Sequence, residues 1–273
     1  MKRSLAFLTL SVAAFLLLAP VLVALLGATQ PSEVIARGSM AWLPGGETAR
    51  NLGEALTQGA GTAPVWRLLL NSAVMAAGIA AGKIVLSLLS AFALVYFRVR
   101  GRGIAFALIF LTLLLPVEVR IVPTYDVVVK MGLSDSMGGL ILPLLASATG
   151  TLLLRQFMRD LPRELVDAAR IDGAGPLAFF WHILLPLSRT SVAALGVVLF
   201  VYGWNQYLWP LLIVTRAELD TVIVAVVKMI GTGEAMSDWG AIMAAAILAL
   251  LPPVIVVLAL QRLFVRGLIS AEK

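Results

Sequence analysis

Lys83 stands alone near the middle of a long apolar run. An ammonium there costs at least about 2.5–3.5 kcal/mol on insertion scales, so such a group faces a cavity or a partner. Three readings stay open: counter-charge for an anionic solute, ion pair with another subunit, or a side chain that snorkels to the surface. The stretch Gly78-Ile79-Ala80-Ala81-Gly82-Lys83-Ile84 imitates a phosphate loop, but three residues separate its glycines instead of four. Ile84 also stands where a Ser or Thr would ligate magnesium. Small residues four apart in an apolar run instead let two helices approach closely, and packing is the expectation for them.

Glu118, Arg120, Asp126 and Lys130 follow at one end of a later apolar run, beside Pro116 and Pro123. Prolines free backbone carbonyls, which are tolerated where they line protein or water, so an outward vestibule fits here. Arg120 can hold a phosphate with two parallel hydrogen bonds, or it can pair with Glu118. Asn205 and Gln206 would be costly facing lipid and are expected to face a pore as a gate, while among Trp204, Tyr207 and Trp209 at least one Trp belongs to an interfacial belt. His182 is the only histidine, has no metal-ligand spacing around it, and reads as packing. HExxH, GxSxG and an intramembrane aspartate pair are all missing, so neither a catalytic residue nor a metal site is expected.

The elements that position these groups follow from composition. Hydrophobic residues make up 60% of the chain and charged residues 13%, against roughly 45–50% and about 25% in a soluble domain. That is a membrane composition, and it outweighs the net charge of +6, which in a soluble protein would suggest nucleic acid. With no Cys, a disulfide framework and a thiolate site are excluded.

A membrane helix needs roughly 20 mostly apolar residues with every amide bonded inside the segment. Six segments qualify: 5–26, 66–97, 104–122, 137–154, 190–214 and 241–260. The fold expected is all-α, a polytopic protein of six transmembrane helices forming one transmembrane domain over 1–273. The first segment is too long for a cleaved signal and reads as an anchor. With both termini placed in the cytoplasm, thirteen of the 21 Lys and Arg fall inside against seven outside, which is the bias that sets orientation. The outer segment of about 29–65 is Gly- and Pro-rich and reads as a cap or partner surface. The cytoplasmic loop of about 155–189 is the most patterned stretch of the chain.

In that loop Pro162 stops the incoming structure, and Leu165, Ala168, Ala169 and Ile171 repeat at helical spacing. A short helix with acids and small alanines suits docking into another protein better than lying on lipid, which would call for Lys, Arg and bulky apolar residues.

Glu164-Leu165-Val166-Asp167-Ala168-Ala169-Arg170-Ile171-Asp172-Gly173-Ala174, with Ile183-Leu184-Leu185-Pro186 beyond it, resembles the EAA loop of permease subunits of binding-protein-dependent ABC importers. Asp167 departs from the Glu usual there, keeping the charge one methylene shorter. Tyr202 to Leu211, Pro252-Pro253 and Gln261 to Gly267 extend the resemblance to the carbohydrate-importer branch. Leu115 to Thr124, Gly82-Lys83 and the ending Ser270-Ala271-Glu272-Lys273 are similar to importers of sn-glycerol-3-phosphate, with a neutral sugar or oligosaccharide as the alternative solute.

The resemblance implies an inner-membrane subunit that pairs with a second related permease and two cytoplasmic ATPase subunits and is served by a periplasmic solute-binding protein. ATP and Mg would be bound by the ATPase, with no cofactor in this chain. It implies coupling to the ATPase through Glu164, Asp167, Ala168, Ala169, Asp172, Gly173 and Pro186. The solute path is expected to hold Lys83, Glu118, Arg120, Asn205 and Gln206. An ion-coupled transporter would need acids inside the spans, which hold essentially none.

Overall fold

The computed structural model describes residues 2–58, 63–97, 100–114, 117–230 and 237–270. Among them there are helices and no strands. In chain order they are α1 (Lys2–Gly27), α2 (Ser32–Ala36), α3 (Thr48–Gln58), α4 (Val65–Tyr96), α5 (Arg102–Leu111), α6 (Val117–Lys130), α7 (Met137–Ile141), α8 (Ala148–Asp160), α9 (Arg163–Ile171), α10 (Pro176–Phe179), α11 (Leu185–Trp204), α12 (Leu208–Ile213), α13 (Val222–Ile230) and α14 (Trp239–Ser270).

The membrane-spanning reading holds, and the six segments differ in regularity. Leu5–Gly27, Val65–Tyr96, Pro176–Trp204 and Trp239–Gln261 are each long and apolar enough to cross a bilayer alone. The fourth expected segment is broken: Met137–Leu144 and Ala148–Asp160 meet at 48°. The third is divided between α5 and α6, and the two residues between the described parts, Leu115 and Pro116, lie outside the described residues.

The fifth span starts at Pro176 rather than at 190 and ends at Trp204, with 208–213 in a separate short helix. Pro186 would clash with the carbonyl four residues back in a regular helix. A π-helical turn at Phe180–Leu184 widens the backbone just ahead of it, so the helix runs on through the proline. The loop expected over 155–189 therefore contracts to α9 and its short flanks.

Residues 1–71 and 216–252 form one compact unit, and residues 72–215 and 253–273 another. In the first, Ala55, Val65, Leu68, Val222, Val224 and Ala245 are buried. Polar side chains tie the 29–64 segment down. Asn51 donates to the carbonyls of Ala28 and Gln30, and the Ser32 hydroxyl donates to Asp238 while accepting from the Gly240 amide at 2.8 Å.

In the second unit, Leu88, Phe92, Leu154, Met158, Phe180, Leu184, Leu195 and Leu199 share one core. Gly78 and Gly82 on α4 face Ile141 and Leu145, so closely that an added Cβ would stand 2.8 and 2.3 Å from their side chains. The stretch that imitates a phosphate loop is thus a helix face closely packed against the broken span.

Candidate functional site

Two groups of site residues emerge, both within the second unit. The first surrounds α9. Pro162 enters it in extended conformation (φ −55°, ψ 134°), and Glu164 lies in its first turn and Arg170 in its last, each on the side the helix dipole favours. Gly173 ends it with φ +76°. Its amide donates to Arg170 O at 3.0 Å, and the Ala174 amide reaches Ala169 O at 2.8 Å, the paired closure of a left-handed C-terminal cap.

Glu164, Asp167, Ala168, Asp172 and Gly173 are all exposed, and Ile171 is 86% exposed. Asp167 meets Arg170 at 3.4 Å on the open face. Ala169 alone in the helix is buried, against the core that contains Phe92, Phe179 and Phe180. A cavity of about 140 Å³ lies beside it, lined among others by Tyr96, Phe97, Val166 and Arg170. Tyr96 packs edge-on to Phe179 at 5.2 Å and donates to Met158 O at 3.2 Å. The helix is therefore a polar plate seated by one small residue on the aromatic ends of α4 and α10. Pro186 stands apart from it, at the start of α11.

The second group surrounds Lys83, which is 7% exposed. Its ammonium donates to Ala146 O at 3.2 Å and lies 4.6 Å from the Tyr202 ring centroid. Ala146 falls in the interruption between Leu144 and Ala148. Ser147 caps α8, accepting from the Gly150 amide at 3.1 Å, and Ser87 donates to Ser147 O at 3.4 Å. Arg120 is exposed on α6. Among the described residues no carboxylate lies within ion-pair distance of either cation.

Gln206 donates to Tyr202 O at 3.1 Å and Asn205 is the exposed C-cap of α11, so both belong to a helix end adjoining Tyr202. The Glu118 side chain, Leu115, Pro116 and residues 271–273 lie outside the described residues. The tryptophans differ from the belt expected of them. Trp204 and Trp209 are buried, and the Trp209 indole donates to Gly139 O at 3.2 Å. The site partners that sequence reasoning missed are Ala146 and Tyr202. The one hint of the first was Ser147, a residue type that caps helices but that inside an apolar run reads equally as helical.

Residues 83–270 match the family model of the binding-protein-dependent transport system inner membrane component. The chain belongs to this family. Among its relatives, the sn-glycerol-3-phosphate transport system permease protein UgpE of Escherichia coli O157:H7 is 52% identical over 259 residues, 94% of this chain and 92% of that one. The protein of the same name in Escherichia coli strain K12 is 51% identical over the same shares. A solved bacterial ABC transporter involved in the import of the acidic polysaccharide alginate superposes with a TM-score of 0.83, covering 96% of this chain and 95% of that chain at 18% identity. That likeness shows the fold alone.

Proposed function

We propose that this chain is one of two related permease subunits of an ATP-driven, binding-protein-dependent importer of sn-glycerol-3-phosphate. It lies in the inner membrane with both termini cytoplasmic. The outer segment of about 29–65 then lies on the periplasmic side, where the solute-binding protein arrives, and α9 faces one of two ATPase subunits. ATP and Mg are bound there, and this chain hydrolyses nothing.

The observation that carries the reading is the seating of α9. A helix whose acids, Ala168 and terminal glycine stand open, and whose single buried residue, Ala169, rests on the ends of the spans, suits a partner that pushes it. Closure of the ATPase would move α9 as a rigid piece, since its C-terminal cap is closed by backbone bonds. The motion passes through Ala169 to Phe92 and Phe179, and so into α4 and the fifth span.

The solute's charge is the second element. Lys83 is a buried cation and Arg120 an exposed one, and among the described residues neither is ion-paired with a carboxylate, which suits a phosphate monoester. Glu118, Asn205 and Gln206 complete the proposed path. The relatives named above carry the same solute in their names.

The test is assembly of this chain with its related permease and the ATPase, followed by ATP hydrolysis with binding protein added. Stimulation by sn-glycerol-3-phosphate or its diesters, and none by neutral sugars, supports the reading. Failure to co-purify with an ATPase, or stimulation by neutral sugars alone, contradicts it.

A further inference from the structure

We infer that Trp42 and Leu43 form a membrane anchor, a preset loop tip that enters the boundary between lipid headgroups and acyl chains at the end of α1. Each is 75% exposed. No charged residue occurs between Gly38 and Gly46.

The loop is fixed to α1 rather than free. The Gln30 amide is buried, and its Oε1 accepts from the Ala41 amide at 3.0 Å while its Nε2 donates to the carbonyls of Ala41 and Leu43 at 2.5 and 3.2 Å. The Gly45 amide donates to Thr29 Oγ1 at 2.8 Å, and the Glu47 amide donates to Thr29 O at 3.0 Å. Gly45 sits so close that an added Cβ would stand 2.4 Å from Thr29 O. The backbone of 41–43 is thus held within hydrogen-bond reach of a residue three beyond the last turn of α1.

That position sets the depth. The apolar stretch Leu5–Gly27 has 23 residues, which at about 1.5 Å each covers the roughly 30 Å hydrocarbon core and brings Gly27 to its edge. The side chains of α1 are all exposed from Leu5 to Leu18, and Pro20, Leu22 and Leu25 remain exposed among half-buried neighbours toward Gly27, so the bare tip lies at the end of a lipid-facing helix. An indole is suited to that boundary, with an apolar ring and one polar N–H. A loop held by five hydrogen bonds has already lost the freedom that an insertion would otherwise cost.

The chain has no Cys, so Trp42→Cys and Leu43→Cys each supply a single thiol in this subunit for an NBD fluorophore, once the other subunits are made cysteine-free. Gly53→Cys on α3, where an added Cβ meets no other element within 4 Å, is the comparison site. The assembled importer is placed in nanodiscs of phosphatidylethanolamine and phosphatidylglycerol, with or without a nitroxide at the headgroup or shallow in the acyl chain. The inference predicts blue-shifted emission at 42 and 43, with lipid quenching at least threefold stronger than at 53. Retained ATPase stimulation shows that each labelled complex is folded, and the Leu43 site carries the measurement if the Trp42 variant does not assemble. Water-like emission with quenching no greater than at 53 overturns the inference. So does a signal that changes only when binding protein is added, which makes the tip a protein-docking surface.

Discussion

The Lys83 ammonium and the Ala146 carbonyl are joined at 3.2 Å across the interruption of the fourth span. In an unbroken helix Ala146 O would accept from the Gly150 amide, but that amide is given to the Ser147 hydroxyl. The lysine takes its place as donor. It therefore does structural service while two of its three protons remain for another acceptor.

Lys83→Met separates those roles. Losing the donor leaves the part-buried Ala146 carbonyl bare at no more than about 1–3 kcal/mol, while removing a mid-membrane cation returns about 2.5–3.5 kcal/mol. The two nearly cancel, so assembly and thermal stability should hold within a few degrees. Uptake of sn-glycerol-3-phosphate should fall at least tenfold, with basal ATP hydrolysis unchanged. Uptake at the original rate would remove Lys83 from the solute path.

Gly173→Val tests the coupling helix. A β-branched residue at φ +76° is disfavoured by about 1–2 kcal/mol, enough to open the cap that closes α9 without unfolding the spans. Membrane insertion should be normal and stimulation of the ATPase by binding protein abolished. Asp167→Lys should uncouple in the same way by reversing the charge offered to the ATPase. An absent membrane band for either variant would make the segment a folding element instead.

Gly203→Ala probes the approach of α11 to α4. An added Cβ would stand 2.9 Å from the Ala76 Cα, a backbone atom that cannot turn aside. A cost of about 1–3 kcal/mol is expected for forcing the helices apart. Because Tyr202 is its neighbour, uptake should suffer beyond the loss in stability, and a melting curve run beside an uptake assay separates the two.

Asp238 sets an acid limit. Burial pushes its carboxyl up, but hydrogen bonds from Ser32 and the Ala241 amide, together with the Arg50 charge, hold it below the usual value on balance. A depressed folded value means the carboxylate stabilises at pH above the unfolded value of about 3.9 and loses that contribution as pH falls through the folded one. Wild type should lose stability toward Asp238→Asn below about pH 4, and the mutant's curve should be flatter there. Parallel curves would show that Asp238 titrates alike in both states.

The spans were legible because apolar runs of membrane length have few other uses, and α9 because its acids and small residues repeat at helical spacing between Pro162 and Gly173. The break at Ala146 was not, since Ser147 inside an apolar run reads equally as a helical residue. The early start of the fifth span was hidden by Pro186, whose helix-breaking effect the π turn at Phe180 absorbs. Trp204 and Trp209 were misplaced because an indole near a span end suits a lipid belt and a packed core alike, and only the Gly139 carbonyl decides between them for Trp209. Tyr202 carried no sign that its ring would meet a cation on another helix.

Uptake of labelled sn-glycerol-3-phosphate into proteoliposomes tests the central claim most directly, with the complete complex, binding protein outside and ATP inside. The account predicts accumulation that requires ATP, is competed by unlabelled sn-glycerol-3-phosphate and not by neutral sugars, and disappears in Gly173→Val. Accumulation without ATP, or undiminished by that substitution, would contradict it.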